Sequence, residues 1–121
     1  MGLRVAVIED DPDIAELLRQ VLFGEGINVT VVRNGADAMN VLESAAFDAA
    51  ILDVMLPGKD GVTVMREIRH NPLTETLPVV MLSAKVDPKT TWDGWQAGCD
   101  LYLTKPFNPD KLVQALRKVM H

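Results

Sequence analysis

Five short apolar runs alternate with five stretches of helical periodicity, and this alternation constrains the fold more than any other feature of the sequence. The runs are Arg4 to Ile8, Asn28 to Val32, Ala49 to Leu52, Pro78 to Leu82 and Leu101 to Leu103. They are mostly apolar throughout, the pattern of strands buried on both faces. Between them, Ile14, Leu17, Leu18, Val21 and Leu22 follow the spacing of an amphipathic helix, and Leu112, Ala115, Leu116 and Val119 repeat it. Asp11-Pro12, Asp87-Pro88 and Asn108-Pro109 each pair an N-cap acceptor with a proline in the first helical position, marking helices 1, 4 and 5. Asn34 and Asp60 are expected to cap helices 2 and 3, and Gly24 and Gly98 to take the left-handed positions that end helices. The pattern predicts an α/β fold over residues 1–121: a (βα)5 single domain with a doubly wound, five-stranded parallel sheet and helices on both faces.

Charge and composition exclude several classes. No apolar run approaches the ~20 residues needed to cross a bilayer, and Met1-Gly2-Leu3-Arg4 leads straight into a strand without the parts of a secretion signal. Cys99 is the only cysteine, which fits a reducing compartment. The expectation is a cytoplasmic protein without membrane contact. A net charge of -5 has the wrong sign for gripping a phosphate backbone, so the domain itself is not expected to bind nucleic acid.

In doubly wound sheets the ligand site lies beyond the carboxyl ends of the strands. Here strand 1 is followed by Glu9-Asp10-Asp11, strand 3 by Asp53, strand 4 by Ser83-Ala84 and strand 5 by Lys105-Pro106. Asp11 precedes Pro12 and reads as an N-cap. Singly, Glu9, Asp10 and Asp53 are ordinary loop acids, Lys105 a solvated charge and Ser83 a loop hydroxyl; their placement after successive strands joins them. Clustered carboxylates repel one another unless a cation neutralises them, and hard oxygen donors suit Mg2+. A metal-held carboxylate beside a lysine can attack a phosphoryl group, which makes Asp53 the candidate nucleophile.

The segments VAVIEDDPDI, AAILDVMLPGKDG, LPVVMLSA and AGCDLYLTKPF resemble the signature segments of response regulator receiver domains, in order and approximate spacing. The resemblance implies a flavodoxin-like strand order of 2-1-3-4-5, phosphorylation of Asp53, and Mg2+ bound by Asp10 directly, Glu9 through water, Asp53 and the backbone carbonyl of Met55. It further implies that Lys105 pairs with Asp53 and then with the phosphoryl oxygens, across a cis Lys105-Pro106 bond. Ser83 would bond the phosphoryl group, and Tyr102 would follow it as the switch aromatic, altering the helix 4, strand 5 and helix 5 surface. The first acid is Glu where many relatives have Asp, and the switch hydroxyl is Ser where many have Thr; both keep the needed functional group. Met55 and Lys85 would flank the path of an attacking water without assisting it, so slow loss of the phosphoryl group is expected.

The implied role is that of a signalling module and not of a turnover enzyme. Its partners would be a sensor histidine kinase or phosphotransfer protein, an effector domain or target protein outside this chain, and a second copy in a phosphorylation-dependent dimer. Three rivals fare worse. A haloacid-dehalogenase-type phosphatase needs an acid where Met55 stands, and a flavin mononucleotide carrier would be repelled by Glu9-Asp10-Asp11; a receiver fold that has lost phosphorylation would not need Glu9, Asp10, Asp53, Ser83 and Lys105 together. His70 and His121 read as solvated, Cys99 as a small semi-buried hydrophobe and the methionines as core filler. Of Trp92 and Trp95, three apart on helix 4, one is expected in the core and one exposed.

Overall fold

A computed structural model describes residues 2–84 and 88–120. The elements run β1 (Leu3–Ile8), α1 (Pro12–Gly24), β2 (Ile27–Val32), α2 (Ala38–Ser44), β3 (Ala49–Asp53), α3 (Gly61–Arg69), β4 (Val79–Ser83), α4 (Pro88–Ala97), β5 (Leu101–Thr104) and α5 (Pro109–Val119). All strands pair in parallel in the order β2-β1-β3-β4-β5, as the resemblance implied.

The near-continuous apolar strands are explained by two cores, one on each face of the sheet. Because successive strand side chains point to opposite faces, Ala6, Ile8, Ala50, Leu52, Val79 and Met81 pack with Ala38, Leu42, Val64, Met65, Ile68 and Ala97 of α2, α3 and α4. Val5, Val7, Ala49, Ile51, Val80 and Leu82 pack on the other face with Leu18, Leu22, Leu112, Ala115 and Leu116 of α1 and α5. Cys99 lies buried in the first core, where burial and the nearby Asp100 push its thiol up to about 11, so it behaves as a small hydrophobe.

Three caps form as expected. Asp11 accepts from the amides of Asp13 and Ile14, Asn108 from those of Asp110 and Lys111, and Asp60 from that of Thr63. Two expectations need correction. Gly24 is the last residue of α1, and the left-handed position belongs to Gly26 with φ 78°, two residues later, because the helix includes Gly24 and is capped by Glu25. Asn34 does not cap α2 directly; its Oδ1 accepts the Asp37 amide at 2.8 Å, closing a turn that precedes the helix, whose first residue is Ala38. Gly98 does take the left-handed position, with φ 104°. The Asp87 cap and the reading of His121 fall outside the described residues, whereas His70 ends α3 with Nδ1 2.7 Å from the Arg66 carbonyl.

Neither tryptophan joins the core: Trp92 is 62% and Trp95 46% exposed. The sheet-facing positions of α4 are Gly94 and Ala97, which bring its backbone so near the sheet that no indole fits.

The amino ends of β4 and β5 are tied by Arg69, which the sequence patterns did not single out. Its Nη1 donates to the Leu77 carbonyl at 2.7 Å, its Nε to the Gly98 carbonyl at 2.9 Å and its Nη2 to Asp100 Oδ2 at 3.0 Å. The same Asp100 oxygen accepts the Val79 amide at 2.7 Å. Charge-assisted hydrogen bonds from a partly buried guanidinium contribute ~2 kcal/mol, and a lysine cannot reproduce the fork. Arg69→Met is therefore expected to lower the urea unfolding free energy by ~2 kcal/mol, with Arg69→Lys restoring less than half; a loss below ~0.5 kcal/mol in the Met variant, the range of ordinary surface changes, would contradict this role.

Candidate functional site

Because β1, β3, β4 and β5 are consecutive neighbours in the sheet, the residues after their carboxyl ends meet in one place. Backbone ladders continue one step past the strands and fix those positions: the Glu9 amide donates to the Val32 carbonyl at 2.9 Å, Val54 to Leu82 at 3.0 Å and Lys105 to Ser83 at 2.7 Å. The Lys105-Pro106 peptide bond is cis. Lys105, the first residue after β5, therefore has its backbone tied to β4 while its side chain reaches across to β1 and β3.

There Lys105 Nζ donates to Glu9 Oε1 at 2.7 Å and to Asp53 Oδ2 at 3.1 Å. The second oxygen of Asp53, Oδ1, accepts the backbone amide of Met55 at 3.2 Å. Asp53 is thus held through both oxygens at the end of β3, with 3% of its surface exposed, and Glu9 is 1% exposed. Asp10 lies on the solvent side, exposed. One carboxylate oxygen from each of Glu9, Asp10 and Asp53 falls within 4.8 Å of the others.

Among the described residues, the ammonium that faces these acids is that of Lys105. Burial raises the Glu9 carboxyl to about 8, and the neighbouring Asp53 adds to this, while Lys105 pulls the other way. Burial alone would lower Lys105, but its bonds to Glu9 and Asp53 and their charges hold it above the ordinary ammonium range. Glu9 Oε2 is buried and has no hydrogen-bond partner among the described residues. A buried carboxylate oxygen without a donor calls for one, and the chemistry of the set, three hard oxygen donors with water access at Asp10, fits a Mg2+-like cation.

The loop after β3 is pressed against this site. A Cβ on Gly61, the first residue of α3, would stand 2.1 Å from the Asp53 carbonyl oxygen, so only glycine lets α3 start there. Nothing in the apolar periodicity pointed to Gly61; the Pro-Gly-Lys-Asp-Gly run was the available sign of a tight loop. The Met55 side chain is 55% exposed beside the acids. Lys85 lies outside the described residues.

Ser83 ends β4 fully buried, in register with Thr104. Tyr102 pairs with Met81 two steps earlier, so its ring and the Ser83 side chain lie on the same sheet face. That ring packs on the core beneath α4, and its hydroxyl is buried with no hydrogen-bond partner among the described residues.

The family model of the response regulator receiver domain matches residues 5–117. The DNA-binding response regulator MtrA of Mycolicibacterium smegmatis is 39% identical over 117 residues, covering 97% of this chain and 50% of its own length. The chain thus spans about half the length of the curated relatives it matches. A crystal structure from Chloroflexus aurantiacus, of a protein described as a response regulator, superposes with TM-score 0.95 at 38% identity, covering 99% of this chain and 98% of the other. The receiver domain of the Pseudomonas aeruginosa sensor histidine kinase PA1611, solved with a magnesium ion coordinated in its active site cleft, gives TM-score 0.92 at 30% identity over 99% of this chain and 98% of that one.

The raised Glu9 carboxyl makes stability depend on pH with a definite sign. Glu9 holds its proton up to about 8 when folded and releases it near 4.5 when unfolded, so between these values the folded state carries more protons. Its contribution to stability is therefore full below about 4.5 and lost as pH rises to about 8. In metal-free buffer with EDTA, the urea midpoint of the native protein relative to Glu9→Gln is expected to fall across this window. A difference that stays constant, or rises, would show that Glu9 is ionised throughout.

Proposed function

We propose a phosphoacceptor role for this chain, which belongs to the response regulator receiver domain family. In this reading a carboxylate oxygen of Asp53 attacks the phosphorus of a phosphohistidine on a sensor kinase or phosphotransfer protein. The new oxygen-phosphorus bond forms as the nitrogen-phosphorus bond breaks, and the freed histidine nitrogen leaves with the electron pair. The observation that carries the proposal is the setting of Asp53, its oxygens oriented by Lys105 and the Met55 amide beside the unpartnered oxygen of Glu9.

Phosphoryl transfer needs positioning and charge neutralisation more than covalent help. Lys105 supplies a fixed ammonium that, in this reading, follows the charge from the Asp53 carboxylate to the transferred oxygens. Asp10, Glu9, Asp53 and the Met55 carbonyl would hold Mg2+, which when bound supplies further positive charge against those oxygens. The Ser83 hydroxyl would bond a phosphoryl oxygen, and Tyr102 would carry that change to the surface of α4, β5 and α5. A ligand shifts such an equilibrium only through contacts that differ between the two states, and Ser83 is the residue that would make them.

Output through a further domain or a separate target suits this chain. MtrA is named as a DNA-binding regulator, whereas the present chain carries a net charge of -5, so any DNA contact of a longer protein would come from outside these residues. No described helix is long and apolar enough to cross a membrane. Signalling from a kinase to such a target places the proposed function in the cytoplasm.

Treatment with acetyl phosphate and Mg2+ is expected to add the mass of one phosphoryl group to the intact protein. The Asp53→Asn variant should gain none, and EDTA should abolish the gain in the native protein. Equal mass gain in Asp53→Asn would overturn the assignment of the acceptor.

A further inference from the structure

Helix α4 is held to the sheet in an unusual way: its buried residues are Gly94 and Ala97, and its largest side chains, Trp92 and Trp95, are exposed. The contact is therefore one of backbone against neighbour, and the neighbour at Gly94 is Tyr102. A Cβ built on Gly94 would lie 3.0 Å from both Cδ2 and Cε2 of the Tyr102 ring and 3.3 Å from Met81 Sδ. Ordinary carbon-carbon contacts lie near 3.5–4.0 Å, so a methyl group would be wedged between the ring and the sulfur. Met81 is fully buried and has little room to yield. Tyr102 stands on β5, an edge strand of the sheet, and is only half-buried, so the ring is the group that can move.

A second observation points the same way. Among the described residues the buried Tyr102 hydroxyl has no partner, and water would satisfy it if the ring turned outward. The inward seat thus has an unmade hydrogen bond against it and depends on the space that Gly94 leaves open. We propose that Gly94 is the positioning residue for Tyr102: the missing side chain creates the inward seat, and a single methyl at 94 displaces the ring toward solvent. The consequence for signalling rests on the switch reading above, but the contact itself does not. If Tyr102 transmits the state of Asp53, then Gly94 sets the resting balance of that switch.

Tyr102 is the only tyrosine of the chain, so fluorotyrosine incorporation places one fluorine reporter at this ring. Without metal or donor, Gly94→Ala is expected to raise the solvent-isotope shift and the broadening by a soluble paramagnet at least twofold over the native protein. Thermal unfolding supplies a readout that a general helix effect would not move in the same way. Alanine favours helix over glycine, so Gly94→Ala should raise the Tm in a Tyr102→Ala background, where the ring is gone, and lower it by a few degrees when Tyr102 is present. Should Gly94→Ala fail to fold, Tyr102→Ala must restore folding. Unchanged fluorine exposure, a Tm change of the same sign in both backgrounds, or a failure of that rescue would overturn the proposal. Mass gain from acetyl phosphate separates the two claims: were Asp53 not the acceptor, native and Gly94→Ala proteins would alike gain nothing, while the fluorine and Tm results would still decide the role of Gly94.

Discussion

Two nearly buried carboxylates, Glu9 and Asp53, share one ammonium at the ends of neighbouring strands, and the site depends on that arrangement. A buried ion pair is poor evidence of stability, because removing charges from water costs as much as their attraction returns. What the arrangement provides is orientation. Lys105 reaches Glu9 and Asp53 because β5 delivers it beside β4, and the Met55 amide fixes the remaining oxygen of Asp53. Among the described residues, the leftover oxygen of Glu9 has no donor and Asp10 stands exposed, so oxygen donors remain that Lys105 does not meet.

The two ends of the sheet are built with opposite aims. At the amino ends, Arg69 and Asp100 satisfy carbonyls and an amide, closing the turns around β4 and β5. At the carboxyl ends, charged groups are gathered and, among the described residues, the Oε2 of Glu9 is left without a partner. The unpartnered polar group lies at the candidate site, where a broken local rule is expected if the site works as proposed. Between the two ends, α4 sits on glycine and alanine with both indoles outward, an attachment with few large buried side chains and so a small cost of displacement.

Much of this was legible in the sequence, for physical reasons that can be named. Strands buried on both faces must be apolar throughout, so the five runs stood out and their ends fell within a residue or so of the observed strands. Caps made by Asp11, Asp60 and Asn108 are local chemistry and were readable; Asn34 and Gly24 were misplaced because a turn before α2 and a two-residue later end to α1 leave no mark in composition. The parallel topology brings together acids and a lysine separated by up to 96 positions; their placement after successive strands was readable, whereas the strand order came from the resemblance to receiver domains. The unequal burial of Glu9 and Asp10, the fork of Arg69 and the exposure of both tryptophans arise from packing at distances that no periodicity records.

In the proposed function the Asp53 carboxylate receives the phosphoryl group, with a divalent ion beside it. Beryllofluoride imitates a phosphoryl group on a carboxylate, so fluorine NMR tests the claim directly. With Mg2+ present, the native protein should show bound fluoride resonances that vanish on adding EDTA and never appear in Asp53→Asn. Bound resonances of equal intensity in Asp53→Asn would contradict the account.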